Sequence, residues 1–298
     1  MRTPILLALL AVYFIWGSTY LAIRLTLESL PPMLTAGFRF TLSGAVMLGF
    51  LRVLGHPWPA AAQWRSAFLI GSLLMVGGNG LVMQGERWVH SGLAAVMIAS
   101  VGLWAALFSG LFGRWPTGRE SAGIALGLAG VALLQLEGNL RAHPLGALLL
   151  LISAIAWALG SVWSQHLDMP RGLMSGATQM FCGGLALVAV GVALGESWPA
   201  HASARSLWAF AYLLVFGSLL GFTAYSYLLQ TVSPALATSY AYVNPVVAVL
   251  LGVAFAGEAI NPAGLAALCI VVGAVALVAT GRRPSPPHDR DCDLAEVA

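Results

Sequence analysis

The sequence predicts an all-α integral membrane protein of ten transmembrane helices, arranged as two inverted five-helix repeats. Three observations predict it. The 298 residues are 59% hydrophobic and only 8% charged, with a mean hydropathy of +0.86; a soluble domain carries roughly 25% charged residues. Ten apolar segments follow one another at 5–23, 33–53, 66–85, 91–112, 120–136, 145–166, 173–194, 207–229, 234–256 and 262–280, most of them near the ~20 residues that cross a bilayer as a helix. The third observation is a repeat of about half the chain length.

The repeat runs through most spans. Trp16, Tyr20 and Arg24 meet Trp157, Ser161 and Gln165 at an offset of 141; Arg39, Gly44 and Trp58-Pro59 meet Gln179, Gly184 and Trp198-Pro199 at 140. Leu93, Ala94, Val101 and Gly102 meet Leu236, Ala237, Asn244 and Pro245 at 143, and Gly71-Ser72-Leu73-Leu74 meets Gly217-Ser218-Leu219-Leu220 at 146. Tryptophan is rare, so its matches weigh most. Five spans per unit is odd, so the second unit enters the membrane from the opposite side, a plan that suits alternating access and places a site near the midplane. The units are 1–137 and 144–281, and the Pro-rich polar tail 282–298 reads as a disordered cytoplasmic segment.

Arginine placement sets the orientation. All fourteen basic residues are Arg. With both termini cytoplasmic, Arg2, Arg52, Arg65, Arg114, Arg119, Arg171, Arg282, Arg283 and Arg290 fall inside, against Arg87, Arg141 and Arg205 outside. No small-residue cleavage site follows the first apolar run, so it reads as an uncleaved span rather than a signal peptide.

The ninth span, Ser233 to Glu258, holds the most polar information. Pro234 suits a first helical turn. Pro245 lies mid-span, where it frees a backbone carbonyl and kinks the helix, and Tyr240 and Asn244 share one face there. Its counterpart in the fourth span is Gly102, which permits bending without imposing it. The ninth span is therefore expected to be permanently bent and the fourth straighter and more mobile, with Gly102 and Pro245 as helix-kink or gating positions.

The residues Ile15 to Tyr20 (IWGSTY), Ser233 to Gly252 (SPALATSYAYVNPVVAVLLG) and Gly257-Glu258, with the paired five-span units, resemble the EamA-type branch of the drug/metabolite transporter superfamily over residues 1 to about 281. The resemblance implies a central cavity formed by spans one to four and six to nine, and a multi-pass protein of the bacterial inner (plasma) membrane that exports amino acids or other small metabolites and drugs. The fourth span departs from the family's frequent Pro by having Gly102.

Candidate substrate-binding residues follow from polar and aromatic side chains within spans. Trp16, Tyr20 and Arg24 line one face of the first span; Trp157, Ser161 and Gln165 repeat it in the sixth. Such aromatics stack on a substrate or simply pack. Trp104 is a weaker candidate. Arg39, two turns into the second span, costs at least ~2.5–3.5 kcal/mol to insert; it is either an anchor for a substrate carboxylate or half of a structural pair with Glu28 or Glu86. Asn79, within Gly77-Gly78-Asn79-Gly80, either caps freed carbonyls or faces the cavity. Tyr225 and Tyr227 point to opposite faces of the eighth span, so at most one lines a path. Glu86 and His90 flank the loop between spans three and four and read as a solvated pair.

Several classes are excluded. The net charge of +3 is small and scattered, which gives no nucleic-acid footprint. Cys182, Cys269 and Cys292 make no metal motif or disulfide framework. There is no Walker motif or nucleophile elbow, no cofactor is implied, and no carboxylate lies mid-span. The reading is thus a secondary transporter, not an enzyme. It works in the lipid bilayer and exports small metabolites, foremost amino acids including aromatic ones, by alternating access. An exporter of hydrophobic or cationic drugs on the same fold, and an intramembrane lipid-modifying enzyme, are the alternatives.

Overall fold

A computed structural model of the chain describes residues 3–89, 94, 97–135, 144–244, 246, 247, 266, 269, 270, 272–274 and 276–278. His90, Pro245, the tail 282–298 and most of the tenth expected span lie outside the described residues. Among the described residues all regular structure is helical.

Six helices among the described residues are long and apolar enough to span a membrane: α1 (Thr3–Thr26), α2 (Pro32–Val53), α3 (Ala61–Gly85), α6 (Pro144–Trp163), α7 (Leu173–Ala193) and α8 (Ala204–Thr231). Between them lie the shorter α4 (Val101–Leu111) and α5 (Gly118–Gln135), and α9 begins at Pro234–Ala237. Leu7, Phe14 and Leu21, seven apart on one face of α1, are 62%, 59% and 61% exposed. Large apolar side chains in a continuous exposed stripe are what a lipid-facing surface requires.

α2 and α7 cross antiparallel at the centre, and glycines bring their backbones together. A Cβ at Gly44 would meet Ala177 O at 2.9 Å, one at Gly184 would meet Phe40 C at 2.9 Å, and one at Gly191 would meet Leu34 N at 3.1 Å. Small residues do this work in lipid because no hydrophobic force draws helices together there, only packing and hydrogen bonds.

α3 and α8 each contain a π-helical stretch, Leu73–Gly80 and Leu213–Phe222. A π stretch leaves backbone groups outside the regular α ladder and often marks a functional site. Here one carbonyl in each stretch accepts from a side chain of another helix. Ser153 Oγ donates to Gly78 O at 2.9 Å and Trp16 Nε1 to Gly217 O at 3.0 Å. The stretches fall within the spans whose Gly-Ser-Leu-Leu motifs match in sequence.

α9 is interrupted. Its first turn is capped by Ser233, whose Oγ accepts from Leu236 N. The chain then turns at 238–239 and resumes as helix at Tyr240, with three-residue backbone bonds from Ala241 N to Thr238 O and Tyr242 N to Ser239 O. The expected kink residue, Pro245, lies outside the described residues. In the fourth span 97–99 are helical, the chain turns at Ser100 and the helix resumes at Val101.

Candidate functional site

The sequence places Trp16 and Tyr20 on α1, Arg39 on α2, Asn79 in the π stretch of α3, Trp157 on α6 and Tyr240 and Asn244 beyond the break in α9. The fold brings all seven to one cavity, of about 630 Å³ with its open mouth included. It lies in the half of the bundle where α1 ends. Thr19, Ile23, Phe40, Gly78, Val82, Ile98, Val101, Ser153, Gly217 and Phe222 complete the lining. Of these, the apolar and glycine positions carry no signal in a sequence that is mostly apolar. Phe40 is the exception in hindsight, because it adjoins Arg39.

Arg39 is 3% exposed. Its Nη2 donates to Asn79 Oδ1 at 3.0 Å and its guanidinium lies 4.2 Å from the centre of the Phe40 ring. Nε and Nη1 are buried without a hydrogen-bond partner. The structural-pair alternative does not hold among the described residues. Glu28 faces Arg205 at 3.7 Å in a largely exposed pair, and no carboxylate bonds Arg39. A buried guanidinium with a neutral amide and an aromatic face as neighbours is short of an anion.

The floor of the cavity is aromatic. Trp16 meets Trp157 at a ring separation of 5.5 Å, Tyr225 at 5.0 Å and Tyr240 at 4.7 Å. Trp157 Nε1 donates to the Tyr225 hydroxyl at 3.0 Å, which also bonds Ser161 Oγ. Ser161 and Tyr225 are therefore the layer behind the cavity rather than its surface, contrary to the sequence expectation. Gly221 gives room to Trp16, and Gly78 gives room to Trp157; a Cβ at either would collide with the indole. Tyr13 adds a tie that sequence reasoning missed, its hydroxyl 2.7 Å from Ser239 Oγ at the break in α9.

A second, larger cavity opens at the end of the bundle where α1 begins, about 3330 Å³ with its mouth included. Gln165, Gln179, Ser226 and Tyr227 line it, with Arg114 and Arg171 at the connections. Gln165 thus separates from its expected partners, and its Nε2 is held by Leu229 O at 2.6 Å. None of the residues lining the first cavity lines the second. Trp104 lines neither; its indole Nε1 is buried without a partner, and the ring packs against the core.

Gly102 has a role that the sequence did not suggest. Tyr242 places its hydroxyl where a Cβ on Gly102 would be, and rests its ring against Gly127 of α5. The glycine admits a side chain from the broken helix, whatever bending it also permits.

The end of α3 differs from expectation as well. Glu86 is half-buried rather than solvated, and its Oε1 is shut away without a hydrogen-bond partner. Burial pushes its carboxyl up to about 8, against the lowering effect of Arg24.

Comparison with known proteins agrees with this architecture. The model of the EamA-like transporter family matches residues 3–136 and again 144–280. The chain is 46% identical over 280 residues to the uncharacterized inner membrane transporter YedA of Escherichia coli K12, covering 94% of this chain and 92% of that one. It is 25% identical over 289 residues to the protein PecM of Dickeya dadantii, covering 93% and 95%. A solved crystal structure of a protein 25% identical in sequence superposes with a TM-score of 0.74, covering 94% of this chain and 97% of that one. A polar, arginine-bearing cavity enclosed by membrane-spanning helices, and a family match over nearly the whole length, lead to one conclusion: the chain belongs to the EamA-like transporter family and is a membrane transporter rather than an enzyme.

Proposed function

We propose that the protein exports small carboxylate-bearing metabolites, foremost amino acids with aromatic ones among them, across the bacterial inner membrane by alternating access. The observation that carries this reading is Arg39: a buried cation on the cavity wall, lacking an anionic partner among the described residues, beside a wall of tryptophan and tyrosine. Charge-assisted bonds to a carboxylate satisfy its free donors, and the aromatic floor takes the apolar part of the cargo.

In this reading Trp16, Tyr20, Arg39, Asn79, Trp157, Tyr240 and Asn244 contact the cargo, while Ser161 and Tyr225 hold the floor. Gln165 meets the cargo only in the larger cavity, and Trp104 takes part only if the fourth span moves. The bundle is ten helices in two inverted units, 1–137 and 144–281, with both termini and the tail 282–298 in the cytoplasm and Gly102 and Pro245 as flexing points. The reciprocal glycine contacts of α2 and α7, the paired π stretches, and the Trp16–Gly221 and Trp157–Gly78 contacts all support that symmetry. Reporter fusions near residues 30, 140 and 290 should read outside, outside and inside; a periplasmic signal at 290 would sink the topology.

The deciding experiment is a counterflow panel in proteoliposomes: aromatic and aliphatic amino acids, then their amides and decarboxylated amines, then cationic dyes. Acids should exchange and the matched amines should not. Among the lining residues of the first cavity none is a carboxylate, which disfavours the cationic-drug alternative. Faster exchange of dyes than of any acid would reverse that judgement.

A further inference from the structure

Two carboxylates near the end of α3, Glu86 and Glu196, are unlike. Glu196, in the connection after α7, is satisfied: its oxygens accept from Met33 N at 3.2 Å, Leu34 N at 2.8 Å and Gln84 Nε2 at 3.3 Å. It caps the start of α2, and that use explains it. Glu86 has no such use. Its Oε1 is enclosed without a donor among the described residues, although a buried ionised carboxylate demands several.

The surroundings of Glu86 are known on each side that is described. From α1 it is faced by Tyr20 and Arg24. Arg24 is itself exposed, so water screens much of its pull. On its own helix Arg87 turns to Gln84, with Nη1 donating to Oε1 at 3.3 Å. Glu196 takes a hydrogen bond from Gln84, and Glu28 is engaged with Arg205. The backbone N–H of Glu86 is spent on Val82 O at 2.9 Å. Val82 and Tyr20 both line the arginine-bearing cavity; Glu86 follows Val82 by one helical turn and interacts with Tyr20. Tyr20 also lies beside the Asn244 amide.

We propose that Glu86 is the proton-binding site of the transport cycle, holding a proton while this end of the bundle is packed and releasing it to water when the wall formed by Tyr20 and Val82 opens. The step balances simply: the carboxyl O–H bond breaks, water on the side where the wall opens takes the proton, and the carboxylate is reprotonated by water from the opposite side once the cavity opens there. Desolvation is the device. With the wall packed, burial lifts the carboxyl to about 8; once it is wetted the value falls toward that of an ordinary Glu, so opening discharges the site at neutral pH. The proposal rests on the transport reading but not on the identity of the cargo. It also supplies a coupling group in a chain with no carboxylate mid-span.

The test has two arms. Infrared difference spectra of the full chain in lipid nanodiscs, titrated from mildly acid to alkaline buffer without cargo, should show a protonated-carboxyl band with a midpoint near 8. The band should vanish in Glu86→Gln and persist, shifted, in Glu86→Asp. Gln is close in size and Oε1 has no bond to lose, so monodisperse protein is expected. In proteoliposomes Glu86→Gln should retain counterflow while losing at least tenfold in uphill accumulation driven by a pH gradient. If no member of the panel is exchanged by the native protein, the amino-acid reading fails while the infrared arm still decides Glu86. If the band is missing from the native protein, or Glu86→Gln accumulates cargo on a pH gradient as well as the native protein does, the proposal is overturned.

Discussion

Trp16 and Trp157 meet edge to face, ring centroids 5.5 Å apart at 80°, and they are counterparts in the two sequence repeats. Each leaves its own half for a glycine of the other, Gly221 and Gly78. The floor of the cavity is therefore shared between the units, and its two indoles differ in their bonds: Trp16 donates to a backbone carbonyl, Trp157 to a tyrosine hydroxyl. Replacing Trp16 with Leu removes a ring contact worth about 0.5–1.5 kcal/mol and should raise KM for an aromatic cargo roughly threefold to tenfold. An aliphatic cargo should be affected less. Equal effects on both would show that the ring only packs.

Arg39→Gln should raise KM for a carboxylate cargo by roughly 10- to 100-fold, the value of a charge-assisted hydrogen bond of about 1.5–3 kcal/mol. Thermal stability should stay near that of the native protein, because no bonded carboxylate is left behind. Arg39→Lys should recover little, since Lys lacks the planar fork. A variant with unchanged KM and a lowered melting temperature would assign Arg39 to the scaffold.

Gly102→Ala is expected to destabilise the protein by about 1–3 kcal/mol, because its methyl group falls on the Tyr242 hydroxyl. That hydroxyl is buried without a partner, so Tyr242→Phe alone should be nearly neutral. The double variant should recover stability, a coupling of roughly 0.5–3 kcal/mol in a double-mutant cycle. If Gly102 serves only as a flexing point, Tyr242→Phe will not relieve the defect.

Stability should also report on Glu86. Its folded carboxyl titrates near 8, above the ordinary value of 4.5. Between those values the folded protein keeps a proton that the unfolded chain has released, so stability falls as pH rises through this window and levels off above it. Melting temperatures in detergent measured across the window should follow that slope in the native protein and lose much of it in Glu86→Gln.

How far the sequence could be read depended on the chemistry of each position. Trp16, Trp157, Tyr240 and Asn244 stand out because aromatic and amide groups within an apolar span call for explanation. The Tyr20–Arg24 and Ser161–Gln165 pairs mislead for a geometric reason. Matched faces on α1 and α6 run away from the floor in opposite directions, so Tyr20 faces the arginine cavity while Gln165 opens on the larger one. Ile98, Val101 and Phe222 are invisible among so many apolar neighbours. Glu86 lies one residue past its helix, where a solvated side chain is the usual case, and only tertiary packing makes it otherwise. The glycines at 77, 78 and 80 hinted at a loosened helix, but not at its π form.

The hydrogen bonds that tie the π stretches to distant side chains have a consequence for how the protein is made. Gly78 O waits for Ser153, 75 residues later in the chain, and Trp16 waits for Gly217, 201 residues later. At about 5–20 residues per second the ribosome needs roughly 4–15 s to supply the first partner and 10–40 s to supply the second. Through that interval Gly78 O has only the backbone N–H of Leu81, and the Trp16 indole lacks the carbonyl it bonds in the finished fold. The tie between the two units at Trp16 and Gly217 is thus completed only as the last third of the chain is inserted.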